Sequence, residues 1–399
     1  GTNGKTTTTR ITAHIARTAG KKVGFTTSDG VYIQNQLMMK GDCTGPVSAS
    51  FVLKDPTVDF AVLECARGGI LRGGLAFQQC NVAVVTNVAA DHLGLGGINS
   101  VAQMAKVKQV VPETVNKNGF AILNADDDLV YAMKKELDCN VALFSMNADN
   151  ERIQQHCESG GMACVVENGF VTILKAAWKV RVLPVKDIPV TYGGKALHNI
   201  ANVLPAVMST YLFKDITIED IRQALLTFIP SATITPGRLN FFQLSQCTFL
   251  VDYAHNPHGL ELVGQFISKL DYPYKTGIIT GTGDRRDEDI RELGAIAARY
   301  FNEIIIRVDK NLRGRTEDEI VELVRGGVSQ TDRDKKITII PDERTAIDHA
   351  YSQAPPNSLV FVMCDEVAGA LEKINKLKES EEKGTDTGKL TDLHTISAK

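Results

Sequence analysis

Short apolar runs alternate with stretches of helical periodicity along most of the chain. Runs of that kind are the mark of strands buried on both faces, so the pattern predicts strand–helix–strand units around a mainly parallel sheet. In the first half, strands are predicted at 60–63, 82–86, 121–123 and 141–144, with a hairpin over 164–174 that turns at Asn168 and Gly169. Helices are predicted over 5–17, 101–115 and 198–212. A segment holding Pro230, Thr233 and Pro236 interrupts the pattern, because two prolines disfavour helix and the apolar periodicity fades. This places a domain boundary there, with a first domain over 1–232 and a second over 236–377. The alternation then restarts, with strands at 248–251, 277–280, 304–308, 337–340 and 359–363 and helices at 287–300 and 316–324. Residues 378–399 are polar and charged, and are expected to form a solvated tail without a fixed fold.

Composition narrows the class of protein. The 399 residues are 43% apolar and 23% charged, which excludes a disordered chain or a fibre and suffices for two or three domains. With 44 Lys and Arg against 47 Asp and Glu, the net charge of -3 lacks the basic excess that coating nucleic acid needs. Nor does any apolar run approach the roughly 20 residues of a membrane span. The eight cysteines are scattered without C-x-x-C spacing, which disfavours a zinc knuckle or a redox pair and fits free thiols in a reducing, cytoplasmic location. The chain opens inside a motif, and a first strand is expected upstream of it.

That motif is Gly1-Thr2-Asn3-Gly4-Lys5-Thr6, followed by Thr7 and a helical pattern. Glycines let backbone N–H groups close around phosphate oxygens, Lys5 supplies a point charge, and the Thr6 hydroxyl suits Mg²⁺. The strand at 60–63 runs directly into Glu64, at the strand end where open α/β sheets bind ligands. The next strand ends in Asn87 and then Asp91 and His92. Two neighbouring strands that end in Glu and Asp-His after a phosphate loop make a candidate metal–phosphate floor, with Glu64 and His92 as ligands.

These motifs continue in order with Asn124-Ala125-Asp126-Asp127, His198-Asn199-Ile200-Ala201-Asn202, Pro236-Gly237-Arg238 and Asp252-Tyr253-Ala254-His255-Asn256-Pro257. In this order and over nearly the whole chain to about residue 375, the sequence resembles the Mur-type amide ligases, which include peptidoglycan amino-acid-adding ligases and folylpolyglutamate synthases. Within them, Thr27-Ser28-Asp29-Gly30, Asp42-Cys43-Thr44-Gly45-Pro46, Ala66-Arg67-Gly68-Gly69, Gly283-Asp284-Arg285-Arg286 and Arg313-Gly314-Arg315 look like the carboxy-terminal ligase module of cyanophycin synthetases.

The resemblance implies a P-loop central domain followed by a smaller Rossmann-like α/β domain, and ATP and Mg²⁺ as cofactors. It implies that Gly1 to Thr7 and the segment His198, Asn199 and Asn202 hold the nucleotide, that Arg238 and Asp252 clasp it, and that His255 lies close by. It implies a carbamylated lysine after the Asp-His pair, for which Lys106 and Lys108 are both placed and Lys108 fits the spacing better. The implied reaction adds arginine to the aspartate side chains of a polyaspartate backbone through an acyl phosphate. An upstream ATP-grasp domain and a homo-oligomer are implied as well. Where ligases for diaminopimelate carry Asn-Pro-Arg, this chain has Asp309-Lys310-Asn311-Leu312-Arg313, which disfavours a cell-wall diamino acid. An arginine substrate needs carboxylates for its guanidinium fork, and Asp284, Asp287, Asp309 and Glu366 are the candidates. Asp284 and Asp309, with Arg67 and Arg313, make up the candidate substrate residues.

Overall fold

The computed structural model describes residues 1–394, with side chains through residue 382. Its contacts divide the chain into a first unit, Gly1–Ile229, and a second that begins at Pro230.

In chain order the first unit comprises α1 (Lys5–Thr18), β1 (Val23–Thr27), β2 (Gly30–Ile33), β3 (Gln36–Lys40), α2 (Pro46–Lys54), β4 (Phe60–Leu63), α3 (Arg67–Gly73) and β5 (Cys80–Val85). It continues with α4 (Val101–Glu113), β6 (Val115–Asn124), α5 (Asp128–Ala132), β7 (Asn140–Ser145), α6 (Glu151–Glu158), β8 (Met162–Glu167), β9 (Phe170–Lys175), β10 (Trp178–Pro184), α7 (Leu197–Tyr211) and α8 (Ile218–Thr227). Two sheets result, ordered β3-β2-β1-β4 and β10-β9-β8-β7-β6-β5. The pairs β1–β4, β5–β6, β6–β7 and β7–β8 are parallel, while the β1–β3 meander and the β8–β10 ribbon are antiparallel. Strands β4 and β5 border a cavity of about 440 Å³ that also reaches Lys5 and Lys108.

Local chemistry explains where the helices that carry the site begin. Gly4 precedes α1 in the left-handed region at φ 83, where a Cβ would also sit 2.0 Å from Asn202 Oδ1, so glycine is required by both backbone and neighbour. Helix α4 opens on a reciprocal cap between Ser100 and Gln103, and Met104, Ala105 and Lys108 fall on its buried face.

The second unit contains β11 (Asn240–Gln243), β12 (Cys247–Asp252), α9 (Pro257–Ser268), β13 (Lys275–Ile279), α10 (Asp287–Tyr300), β14 (Glu303–Ile306), α11 (Glu317–Thr331), β15 (Lys336–Ile339), α12 (Glu343–Gln353), β16 (Ser358–Met363) and α13 (Val367–His394). Its sheet runs β11-β12-β16-β13-β14-β15, parallel except for β11 on β12. Parallel pairing puts the C-terminal ends of β12, β13, β14 and β16 along one edge, and each ends on or leads toward a residue singled out in the sequence: Asp252, Asp284, Asp309 and Glu366.

The solvated tail expected from residue 378 is corrected as far as it is described. Helix α13 continues to His394, and within it Glu381 accepts from Ser245 Oγ at 2.6 Å and from the Tyr351 hydroxyl. Lys, Glu and Leu are good helix formers, and these contacts give the charged stretch an anchor that its polarity concealed. The remaining tail, 395–399, lies outside the described residues. Among the described residues, no helix is long and apolar enough to cross a membrane.

Candidate active site

The loop of residues 1–6 is fastened to the turn that follows β5. Thr2 N donates to the Asn87 carbonyl at 2.8 Å, and Asn3 N donates to Asn87 Oδ1 at 2.9 Å. Asn87 Nδ2 and Thr86 Oγ1 donate back to the Asn3 carbonyl at 3.1 and 2.7 Å. One side-chain amide thus bonds the loop in both directions, which is a physical role for the Asn87 that ends the strand. Lys5 Nζ donates to the Thr2 carbonyl at 2.7 Å and so lies across the loop.

Beneath the loop, Thr6 Oγ1 donates to Glu64 Oε2 at 2.8 Å and lies 3.1 Å from Ser28 Oγ. Glu64 is 5% exposed, and its own backbone N–H is fixed by Thr26 Oγ1 at 3.1 Å. The structure thus brings together Thr6 and Glu64, two residues singled out in the sequence 58 positions apart, and adds Ser28, which the candidate set lacks. That set also misses what holds Ser28. Buried Arg10 pairs with Asp29, donates to Tyr32 Oη at 2.9 Å and stands 4.8 Å from the Tyr32 ring centroid. Thr27 Oγ1 donates to the same Asp29 carboxylate at 2.9 Å, which braces turn 27–30 internally while Arg10 ties it to α1. Burial and the hydrogen bond to Asp29 push the Tyr32 phenol up to about 12. The signal was present in Thr27-Ser28-Asp29-Gly30, a polar turn between two strands.

Of the two lysines left open, Lys106 points outward to Glu136 at 2.8 Å, whereas Lys108 is buried and donates to the Gly1 carbonyl at 3.0 Å. Burial, reinforced by Lys5, lowers Lys108 to about 7, with Asp91 opposing the shift. His92 sits at φ 55 beside Asp91, its Nε2 4.0 Å from Oδ2. Arg67 begins α3 and donates to the Leu95 carbonyl, pinning the loop after Asp91 and His92. Asn199 and Asn202 are buried. Asn199 Nδ2 donates to the Val190 carbonyl at 2.9 Å, Asn202 Nδ2 donates to Asn199 Oδ1 at 3.3 Å, and Asn202 closes on Gly4. Asn202 therefore meets the loop from α7 with Asn199 behind it, and His198, half-buried, lies in the first turn of the same helix.

In the second unit, Asp252 ends β12 and accepts from Leu239 N at 2.9 Å. Burial raises its pKa, and Arg238 works against the shift. The Arg238 guanidinium stands 4.9 Å from the Tyr253 ring centroid, and His255 Nδ1 lies 3.0 Å from the Tyr253 carbonyl. The loops after β13, β14 and β16 hold the candidate acids together with cations that sequence spacing does not pair. Asp284 Oδ1 meets Arg285 NH1 at 2.6 Å and its Oδ2 meets Arg313 NH1 at 2.5 Å. Asp309 Oδ1 accepts from Arg307 NH1 at 2.7 Å, and the same guanidinium reaches Glu343 Oε2 at 3.2 Å. Burial raises both Asp309 and Glu343, and Arg307 opposes this in each. For Arg313, burial disfavours the charge, but Asp284, Asp309 and Asp365 outweigh it and hold the guanidinium above its ordinary value.

The comparisons with known proteins follow the same division. Residues 1–210 match the Mur ligase middle domain, and residues 237–365 match the Mur ligase, glutamate ligase domain. The chain is 50% identical over 376 residues to a cyanophycin synthetase of Crocosphaera subtropica, covering 94% of this chain and 43% of that protein. It therefore spans less than half the length of that curated relative. To the UDP-N-acetylmuramoyl-L-alanyl-D-glutamate–2,6-diaminopimelate ligase of Geobacillus thermodenitrificans it is 28% identical, over 91% of this chain and 72% of that one. Among solved structures, Escherichia coli FolC in complex with DHPP and ADP superposes with a TM-score of 0.67 at 19% identity, covering 96% of this chain and 88% of that one. At such identity the likeness concerns the fold alone. The phosphate loop, the buried carboxylate under it and the two matched domains thus have one common explanation, which is that the chain belongs to the Mur ligase family.

Proposed function

We propose that this chain is an ATP-dependent amide ligase module that joins L-arginine to the side-chain carboxylates of a polyaspartate backbone. The observation that carries the ligase reading is the buried Glu64 carboxylate, 2.8 Å from the hydroxyl of the phosphate-loop Thr6. Relatedness to cyanophycin synthetases supports the choice of substrates.

In this reading the backbone N–H groups of residues 2–6 and the Lys5 ammonium take the β- and γ-phosphate oxygens of ATP. The acceptor carboxylate attacks the γ-phosphorus, the bond to the ADP oxygen breaks, and an acyl phosphate forms. The incoming amine then attacks the acyl carbon, phosphate leaves with its oxygen, and the amine gives up a proton. Lys5 offsets the negative charge that both steps build on phosphoryl oxygens. The hydroxyl and carboxylate oxygens of Thr6 and Glu64, with His92, suit Mg²⁺, which when bound would neutralise part of the phosphate charge. Lys108, lowered toward 7 and buried, has the neutral amine that forms a carbamate with CO₂. The upstream ATP-grasp domain and the homo-oligomer belong to the same proposal.

The test is phosphate release from ATP by the full chain, with a short aspartate–arginine polymer as acceptor, across a panel of amino acids. Release that requires arginine, and that falls on the order of 100-fold in Lys5→Ala, is the expected result. Release with a different amino acid would retire arginine, and none with any amino acid would overturn the ligase reading.

A further inference from the structure

Each acid that the sequence offers for a cationic substrate already faces a cation of the chain. Asp309 has Arg307 at 2.7 Å, Asp287 has Arg315 at 2.8 Å, Glu366 has Lys310 at 3.0 Å, and Asp284 has Arg285 and Arg313. A ligand cation that arrives at one of these acids meets a cation already in place, and those cations are not equally replaceable.

Arg307 is 1% exposed and donates to the Met363 carbonyl through both Nε and NH2, so moving it would strand buried groups. Arg315 is held on the Gly283 and Arg285 carbonyls at 3.0 and 2.8 Å. Lys310 and Glu366 are 81% and 58% exposed, a pair in which water competes with any ligand. Arg313 differs from all three. Its side chain is 37% exposed, it meets an Asp284 side chain that is only 18% exposed, and its backbone stands at φ 51 before Gly314 at φ 92. Asp284 keeps Oδ1 on the buried Arg285 whether or not Arg313 stays on Oδ2.

We propose that the Arg313 guanidinium is an internal occupant of the amino-acid seat, which the incoming amino acid displaces: the ligand's guanidinium takes Asp284 Oδ2 and its carboxylate takes the released Arg313. The identity of the amino acid rests on the ligase reading above, whereas the displacement does not. The exchange converts one ion pair into two and leaves no charge alone. Asp309 and Asp365, whose charges act on Arg313, remain to favour the newcomer. A cation without a carboxylate would take Asp284 Oδ2 from Arg313 and give nothing in return, and a carboxylate without a cation would draw Arg313 off and leave Asp284 with Arg285 alone, so the device favours a ligand that carries both.

The test is titration calorimetry on the full chain with L-arginine and with agmatine, which has the guanidinium but no carboxylate. The wild type is expected to bind arginine about tenfold or more above agmatine. In Arg313→Ala, agmatine should tighten by about tenfold while the preference for arginine collapses to within about threefold, because the seat is open and the carboxylate partner is gone. Arg313→Lys should retain the preference, and Asp284→Asn should weaken arginine by about tenfold. Agmatine affinity that is unchanged or lower in Arg313→Ala, or no binding of either ligand by any form, would overturn the proposal. Arginine-dependent phosphate release without this signature would remove the displacement and keep the ligase. The signature without phosphate release would keep the seat and remove the ligase.

Discussion

Lys108 is the residue whose surroundings most alter its chemistry. A lysine on an exposed helix face would be protonated throughout the physiological range, but burial beside Lys5 brings this one to about 7. The unfolded chain holds its proton to the ordinary value near 10.4. Between those values the unfolded state binds more protons than the folded one, so stability rises with pH across the window, and the penalty is complete below about 7. Lys108→Met is therefore expected to gain in melting temperature over the wild type at pH 6, with the gap closing between pH 7 and 10. Parallel curves over that range would show that the amine is solvated. In ¹³C-bicarbonate, the wild type but not Lys108→Met should develop a carbamate signal that grows as pH passes 7. Sequence spacing left Lys106 and Lys108 open. The distinction depends on which helix face is buried and on the partner 30 residues away, Glu136, that draws Lys106 outward.

At the scale of elements, legibility followed continuous apolar composition. Strands β12 and β16 are buried at every position and stand out as apolar runs. The meander β1–β3 did not stand out, because Gly24, Thr26 and Thr27 interrupt its first strand and every residue of β3 is exposed. Helix α9 was implied by the alternation but given no bounds, although Asn256 caps it by accepting from Gly259 N at 2.8 Å and Pro257 occupies its first turn. Helices α10 and α11 were legible singly, but their contact was not. A Cβ on Gly327 would stand 1.8 Å from the Arg291 carbonyl oxygen, and one on Gly294 would stand 2.1 Å from that of Val324. The two helices thus approach backbone to backbone, and a methyl group there meets atoms that no rotamer change can move. Gly327→Ala should cost about 1–3 kcal/mol, visible as a lower urea midpoint with an unchanged slope. Gly326→Ala, where the added Cβ meets nothing within 4 Å, is the control and should be neutral or slightly stabilising. Equal losses in both would point to helix backbone effects rather than to the close approach.

For the molecule as a whole, the order of motifs revealed the family, and what they touch became visible only in three dimensions. Thr6 with Glu64 was recoverable because Thr6 falls in the first turn of the helix that follows a glycine-rich loop and Glu64 directly follows a strand. Asp284 with Arg313, 29 positions apart, was not, since a surface acid and a surface base carry no mark of pairing in the sequence. The break at Pro230 was visible through its prolines, and the core of the second unit gives it consequence. Phe249, Val251, Ile278, Ile305, Val360 and Val362 from the sheet pack with Ala346, Ile347, Ala370 and Ile374 from α12 and α13, every one supplied from beyond residue 230. A closed core on a chain of this length is enough for cooperative folding. A fragment that starts at Pro230 is accordingly expected to unfold in urea as a single transition followed identically by far-UV circular dichroism and tyrosine fluorescence. Non-coincident transitions would mean that this core depends on residues before 230.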